Sequence, residues 1–250
     1  EFTIPNTSPT VDEDAGPITS SGFITNIRPG TTTSDDEAPQ TLSFLVTAVD
    51  PTAFRTLPAI SPTGVLTYQL ETDVNSRFKD LTVRVVLQDN GPNGPVAQGG
   101  SDVNFSATQT FSIVARPIND TPDFAILDDT RTVLEDNEAE TSVAITAFPG
   151  FATSIVRGPA TAQDEPINQN VQFNVITVSN PSLFETQPAI SPTGTLTFKT
   201  MKDQNGSAVV VVQLQDSEIA NAADSKLSVL RTFTINVTPV NDAPVLDNSG

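Results

Sequence analysis

The sequence predicts an all-β protein of two tandem Greek-key β-sandwich domains, joined end to end by a short proline-bracketed linker. Three observations lead to this prediction. Short runs of alternating apolar and polar residues, rich in Thr, Val, Ile and Phe, recur along the chain, as is typical of half-buried strands. No segment keeps a helical period. The 250-residue chain also aligns with itself, and a repeat of this length indicates a duplicated domain rather than a solenoid unit.

The two copies match most closely at their ends. The segment TFSIVARPINDTP at 110–122 aligns with TFTINVTPVNDAP at 232–244, and each ends in a hexapeptide that places Asn-Asp between two prolines. In the middle, LPAISPTGVLTY at 57–68 aligns with QPAISPTGTLTF at 187–198. We therefore expect three segments, which are repeat 1 over 1–119, repeat 2 over 120–244 and the start of a third repeat over 245–250.

Each copy is expected to hold about seven short strands, as Greek-key sandwiches of this size do. Turn residues separate the strands at short intervals, including the repeated SPTG, whose Pro and Gly both suit positions of a turn. The clearest strand runs lie at 81–87, 111–115, 171–178, 209–215 and 233–237.

The charge balance limits the partners that the protein can bind. Thirty acidic residues stand against twelve basic ones, which gives a net charge of −18. Nucleic acid and anionic membrane surfaces are disfavoured as partners, because binding them needs a cationic footprint. No apolar run approaches the roughly 20 residues that direct membrane insertion requires. Clustered carboxylates instead favour a hard cation as the partner.

The absence of Cys and His excludes several chemistries. Disulfides, zinc sites of the usual kind and triads that use His or a nucleophilic Cys are not available. Paired carboxylates can hydrolyse glycosides, but that chemistry is usually housed in a cleft lined with aromatic side chains. This chain has no Trp, and Tyr68 is its single Tyr. We therefore predict a protein that is not an enzyme.

Acidic residues are expected to converge where the linker PINDTP joins the two sandwiches. Strand direction places acids from the base of the first domain, from the linker and from the top of the second domain at one junction. Unneutralised, these charges would repel one another, and calcium, which takes roughly six to eight oxygen ligands, would neutralise them. The predicted junction ligands are Glu13, Asp14, Asp73, Asn119, Asp120, Asp164, Glu165, Asp216 and Asp224.

The motifs PINDTP and PVNDAP resemble the NDxP linker of cadherin repeats, and above all the cadherin-like repeats of long bacterial surface proteins. Glu13 resembles the base glutamate of that family. The acidic segments at 34–44 and 163–173 resemble its loop before the third strand, and Asp89 resembles the aspartate that ends its sixth strand. The resemblance implies a bacterial, secreted or cell-surface protein. In it, calcium would stiffen an array of neighbouring repeats that serves adhesion or spacing, and the fragment would be monomeric.

Internal repetition predicts two further calcium sites. The ligands expected at the N-terminal end are Asp36, Glu37, Asp89 and Asp102, and those at the C-terminal end are Glu135, Asp136, Asn241 and Asp242. The chain also departs from the animal pattern, because Pro117 and Pro239 stand where another aspartate is usual and an Asp-Arg-Glu element is missing. We therefore expect fewer than three ions at each junction.

The sequence leaves two alternative functions open. The sandwich-end loops could bind a glycan or a partner protein, as they do in variable immunoglobulin domains, and the Gly- and Pro-rich loop at 90–101 is the first candidate. Homophilic adhesion in the manner of animal cadherins is the other. The strand-swapping tryptophan of that mechanism has no counterpart in a chain without Trp.

Overall fold

The computed structural model describes residues 1–30, 40–91, 104–135, 146–165, 169–217 and 227–241. The chain divides into two compact units, Glu1–Ile118 and Asn119–Gly250. Regular structure in the described residues consists of β-strands and two single-turn 3₁₀ helices, so the predicted all-β class is confirmed. None of these helices has the length and apolar character needed to cross a bilayer. The residue ranges given above for the repeats stay a prediction.

The first unit is a sandwich of two sheets. In one sheet the strands follow the order β2-β5-β4. The opposite side of the sandwich is formed by the sheet β3-β6-β7 together with the parallel pair β1-β8. The chain changes side between β1 and β2, between β2 and β3, between β3 and β4 and between β5 and β6, which is a Greek-key path. The strands are β1 (Thr10–Asp12), β2 (Ile18–Ser20), β3 (Leu42–Ala48), β4 (Phe54–Ile60), β5 (Leu66–Leu70), β6 (Thr82–Asp89), β7 (Gln109–Ser112) and β8 (Val114–Arg116), with a 3₁₀ helix at Pro51–Ala53.

The second unit repeats this arrangement. Its larger sheet has the order β10-β17-β16-β13 with β10 and β17 parallel, the opposite sheet has the order β11-β15-β14, and β9 pairs with β12. The strands are β9 (Asp123–Ile126), β10 (Thr130–Leu134), β11 (Thr146–Phe148), β12 (Ala152–Val156), β13 (Val171–Val178), β14 (Phe184–Ile190), β15 (Leu196–Thr200), β16 (Gly206–Asp216) and β17 (Arg231–Thr238), with a 3₁₀ helix at Pro181–Leu183.

One predicted strand run is divided in the structure. The run at 111–115 is shared between β7 and β8, because the chain changes partner at Ile113. The N–H of Ile113 still donates to the carbonyl of Leu81 (3.1 Å), whereas the N–H of Val114 donates to Pro9 (2.8 Å). The strand therefore leaves β6 and pairs with β1. In the second unit the equivalent segment stays continuous as β17.

Each unit has its own apolar core, formed by alternate residues of the two facing sheets. Leu66 of β5 and Val85 of β6 are fully buried in the first unit, as are Phe198 of β15 and Val212 of β16 in the second. Burial of these apolar faces is the main stabilising contribution to such a fold. The apolar residues of each alternating run therefore indicate which face of the strand is buried in the core.

The repeated SPTG segment is a structural turn in both units. Gly64 and Gly194 have φ of +81° and +83°, and a Cβ at either position would meet a backbone carbonyl, that of Ile24 or Ala152. Only glycine suits such a conformation and such a close approach. The recurrence of this motif is therefore explained by the connection between β4 and β5 and by that between β14 and β15.

Tyr68→Phe is predicted to stabilise the first unit by about 1 kcal/mol, because a buried hydroxyl without a partner opposes folding. Tyr68 is 1 % exposed, its hydroxyl has no hydrogen-bond partner among the described residues, and burial raises its pKa to about 12. Phe198 stands at the matching place on β15, and each ring makes an edge contact with a neighbouring phenylalanine. Urea denaturation should show the gain, and Phe198→Tyr should cause a comparable loss. A destabilised Tyr68→Phe variant would contradict this account.

Candidate metal centre

Glu13, a predicted metal ligand, is buried immediately after β1 and connects three parts of the first unit. The residue is 1 % exposed. Its Oε1 accepts a hydrogen bond from the N–H of Ile118 (2.6 Å), and its Oε2 accepts one from Nδ2 of Asn75 (2.8 Å). Its own N–H donates to the carbonyl of Arg116 (2.9 Å). The carboxylate therefore holds the segment after β8 against the turn after β5.

The second unit reproduces this arrangement with Glu135. Its Oε1 accepts from the N–H of Val240 (2.8 Å), and its Oε2 accepts from Nδ2 of Asn205 (3.0 Å). Its N–H donates to the carbonyl of Thr238 (3.0 Å). Both glutamates thus have a structural role that their sequence pattern did not reveal. Each carboxylate oxygen has a second lone pair, so the predicted metal ligation stays a prediction.

Asp14 and Asp73 lie side by side in the first unit. The N–H of Asp73 donates to Oδ1 of Asp14 (2.9 Å), and both residues have a left-handed backbone, with φ of +60° and +57°. Asp is one of the few residues other than Gly that adopt this conformation readily. Asp203, at the matching turn of the second unit, has φ of +56°. The local backbone therefore explains why Asp recurs in this turn.

The second unit gathers buried polar side chains at the end of the sandwich where β13 begins and β16 ends. Asp216 of β16 is paired with Val171, the first residue of β13. Nδ2 of Asn119 lies 3.3 Å from both carboxylate oxygens of Asp216, and Oδ1 of Asn119 accepts from Nε2 of Gln169 (2.5 Å). The set, which we call the acidic cluster, consists of Asn119, Asp164, Glu165, Gln169 and Asp216, each at most 4 % exposed.

Glu165 is a poorly compensated charge in the acidic cluster. Its Oε1 accepts from the N–H of Asp120 (2.8 Å), whereas its buried Oε2 has no hydrogen-bond partner within the described ranges of the chain. Burial raises the pKa of Glu165, hydrogen bonds from the Asp120 N–H and from Gln169 oppose that change, and the charges of Asp164 and Asp216 reinforce it. No Lys or Arg of the described chain forms an ion pair with Glu165. The carboxylate and amide oxygens of the acidic cluster, together with its uncompensated negative charge, are suited to binding a cation.

Gly158 gives Asp120 and Glu165 the space that they occupy. A Cβ at this position would lie 2.8 Å from Cβ of Asp120 and 2.8 Å from Cγ of Glu165, which is closer than carbon atoms pack. An alanine here would therefore displace the side chains that line the cluster.

Gly158→Ala is predicted to destabilise the second unit by about 1–3 kcal/mol through overpacking and to weaken cation binding at the acidic cluster. Gly16→Ala is the matched control, because a Cβ at Gly16 meets nothing within 4 Å. Differential scanning calorimetry with and without calcium measures both effects. If the two variants had the same melting temperatures with and without calcium, the acidic cluster would tolerate the displacement of its side chains.

The corresponding end of the first unit has a similar backbone arrangement. Oδ1 of Asn90 accepts from the N–H of Thr41 (2.7 Å), as Oγ of Ser217 accepts from the N–H of Asn170 (2.9 Å). Asp89, a predicted ligand, accepts from the N–H of Gly91 through Oδ1 (2.9 Å). The two units therefore build this end in the same way.

Several predicted ligands and most of one candidate binding loop lie outside the described residues. Asn241 is exposed and is the last described residue. From residue 92 onwards, the candidate binding loop at 90–101 also falls outside the described part of the chain. The predicted ligands outside the described residues are Asp36, Glu37, Asp102, Asp136, Asp224 and Asp242.

Fold and site together define an all-β protein of two sandwich units, both of which contain buried carboxylates, and the second of which gathers three of them in the acidic cluster. The structure is similar to that of human protocadherin-24 EC1-2 in form II, with a TM-score of 0.48 at 13 % identity over 81 % of this chain and 85 % of that one. For human mucin-like protocadherin EC1-2 the TM-score is 0.44 at 13 % identity, covering 96 % of this chain and 99 % of that one. For mouse cadherin-23 EC22-24 it is 0.48 at 12 % identity, covering 96 % and 66 %. No protein-family model and no curated protein sequence matches the chain.

Proposed function

We propose that the protein is a non-catalytic, calcium-binding extension or adhesion module of an extracellular or cell-surface repeat protein. The observation that carries this proposal is the acidic cluster of the second unit, in which Asp164, Glu165 and Asp216 are all at least nine-tenths buried. Buried carboxylates are costly unless they are paired or coordinate a metal. Burial raises the pKa of Glu165, and the charges of Asp164 and Asp216 reinforce that rise, so a bound cation would stabilise the charged form.

The donor atoms favour calcium over transition metals. The chain has neither Cys nor His, the residues that hold most zinc and copper ions. The acidic cluster offers carboxylate and amide oxygens, and calcium accepts these in flexible geometry. Magnesium is the less suitable occupant, because it demands near-ideal octahedral geometry and gives up its water reluctantly.

Calcium at the predicted junction would restrict the motion of the two repeats. Asn119 and Asp120 of the linker contact Asp216 and Glu165, so an ion held there would act directly on the segment between the repeats. The prolines of PINDTP limit the conformations of that segment in advance. Assignment to a bacterial surface protein rests on the likeness of PINDTP and PVNDAP to cadherin-like linkers.

The effect of calcium on stability is expected to be moderate. Extracellular calcium modules often have Kd values of roughly 10⁻⁴–10⁻³ M. At a tenfold excess of calcium over Kd, each site contributes about 1.4 kcal/mol to the free energy of unfolding. That is a useful fraction of the marginal stability of a typical domain.

Calorimetric melting and small-angle X-ray scattering of the full chain, with calcium and with EDTA, test this proposal. We expect calcium to raise the melting temperature by several degrees and to narrow the distribution of interdomain distances. Magnesium at the same concentration is the control for ionic strength. Identical melting and scattering profiles in calcium and EDTA would rule out the calcium function.

A further inference from the structure

A glutamine occupies the same position in both units, two residues before a strand. Gln40 precedes β3, whose first residue Leu42 pairs with Asp89. Gln169 precedes β13, whose first residue Val171 pairs with Asp216. Each unit therefore places a glutamine next to the strand end that carries its predicted aspartate ligand.

The two glutamines share a second feature. Oε1 of Gln40 and Oε1 of Gln169 are both buried and have no hydrogen-bond partner among the residues that the structure describes. Gln169 as a whole is only 4 % exposed. A buried amide oxygen without a partner opposes folding. Its presence at the same position in both units points to a function that offsets this cost.

The surroundings of Gln169 leave its amide oxygen available to an ion. Its Nε2 donates to Oδ1 of Asn119 (2.5 Å), and its backbone carbonyl accepts from Nε of Arg157 (2.8 Å). The Gln169 side chain also opposes the rise in the pKa of Glu165, whose Oε2 is likewise buried without a hydrogen-bond partner in the described part of the chain. The backbone and the amide nitrogen are thus fixed beside a carboxylate, and Oε1 retains its acceptor capacity.

We propose that Oε1 of Gln169 is a neutral calcium ligand of the acidic cluster, and that Gln40 has the same role at the corresponding end of the first unit. This inference rests on the proposed calcium function. Amide oxygens are regular calcium ligands, and the number of charged ligands tunes affinity. Because Asp164, Glu165 and Asp216 already supply negative charge, a neutral fourth side chain adds coordination without adding repulsion. Gln169 thereby sets the affinity of the site for calcium and its selectivity between divalent and trivalent ions.

Isothermal titration calorimetry of the EDTA-stripped full chain, with CaCl₂ and separately with LaCl₃, tests this role. Gln169→Met keeps the length of the side chain and removes its oxygen, and should weaken calcium binding roughly tenfold. Gln169→Glu adds a charged oxygen and should increase the affinity for La³⁺ more than that for Ca²⁺. Gln172→Met, at an exposed position on β13, is the matched control and should leave both affinities unchanged.

The two variants separate a ligand from a residue that only positions Asn119. In a positioning role, Gln169→Glu would replace the donor to Asn119 by an acceptor and would weaken the binding of both ions. That outcome, or unchanged calcium affinity in Gln169→Met, would overturn the proposal while leaving the calcium function intact. Absence of calcium binding by the unsubstituted chain would overturn both. Circular dichroism in EDTA establishes that each variant is folded.

Discussion

Glu165→Gln is expected to raise the melting temperature of the calcium-free protein and to abolish most of its calcium-dependent stabilisation. Glu165 is 1 % exposed, and burial together with nearby carboxylates raises its pKa. The substitution removes a poorly compensated charge but keeps an oxygen for the N–H of Asp120. It also removes a predicted ligand charge. At a tenfold excess of calcium over Kd, the variant should lose about 1.4 kcal/mol of the free energy of unfolding that calcium contributes at that site.

The pH dependence of the calcium-free protein provides a second test of Glu165. Because folding raises the pKa of this carboxyl, the folded state binds more protons than the unfolded state between the ordinary and the raised pKa. The contribution of Glu165 to stability therefore falls as pH rises through that window. Glu165→Gln should remove this decline, and Glu185→Gln, at an exposed position on β14, is the control. A variant with the same pH profile as the unsubstituted chain would show that Glu165 keeps its ordinary pKa.

Glu13→Ala is expected to destabilise the first unit by about 3 kcal/mol, more than Glu135→Ala destabilises the second. Each truncation leaves a backbone N–H and an asparagine amide without their acceptor, and a buried donor left unsatisfied costs about 1–3 kcal/mol. Asn75 is 1 % exposed, whereas Asn205 is exposed. Water can therefore replace the lost acceptor of Asn205 but not that of Asn75.

Chemical denaturation of the two variants in EDTA separates this structural role from metal binding. Asp12→Ala is a suitable control, because Asp12 is adjacent in sequence and pairs with Arg116 at the surface (2.8 Å). Exposed pairs of this kind contribute roughly 0–1 kcal/mol. If Glu13→Ala had no effect in EDTA but reduced stability in calcium, Glu13 would be a metal ligand without a structural role.

Strand pattern and repetition were predictable from the sequence because they depend on local periodicity. The alternating run at 171–178 coincides with β13, since a period of two residues directly reports which face of a strand is buried. The division of the run at 111–115 was not predictable. It depends on the pairing of Val114 with β1, a contact between residues far apart in sequence.

The acidic residues of the site were visible in the sequence, but their individual roles were not. A glutamate after a strand has the same signature whether it binds an ion or accepts an N–H, and Glu13 accepts two hydrogen bonds. Gln169 gave no acidic signal at all. Its position before β13 becomes meaningful only beside the matching Gln40 and the buried amide oxygens of both residues.

Calcium titration of the EDTA-stripped full chain by isothermal calorimetry tests the central claim most directly. The acidic cluster predicts saturable binding with a Kd at or below about 10⁻³ M, and this binding should be strongly reduced in Glu165→Gln and retained in Glu185→Gln. No saturable heat at millimolar calcium, or equal binding by the two variants, would contradict calcium binding at the acidic cluster.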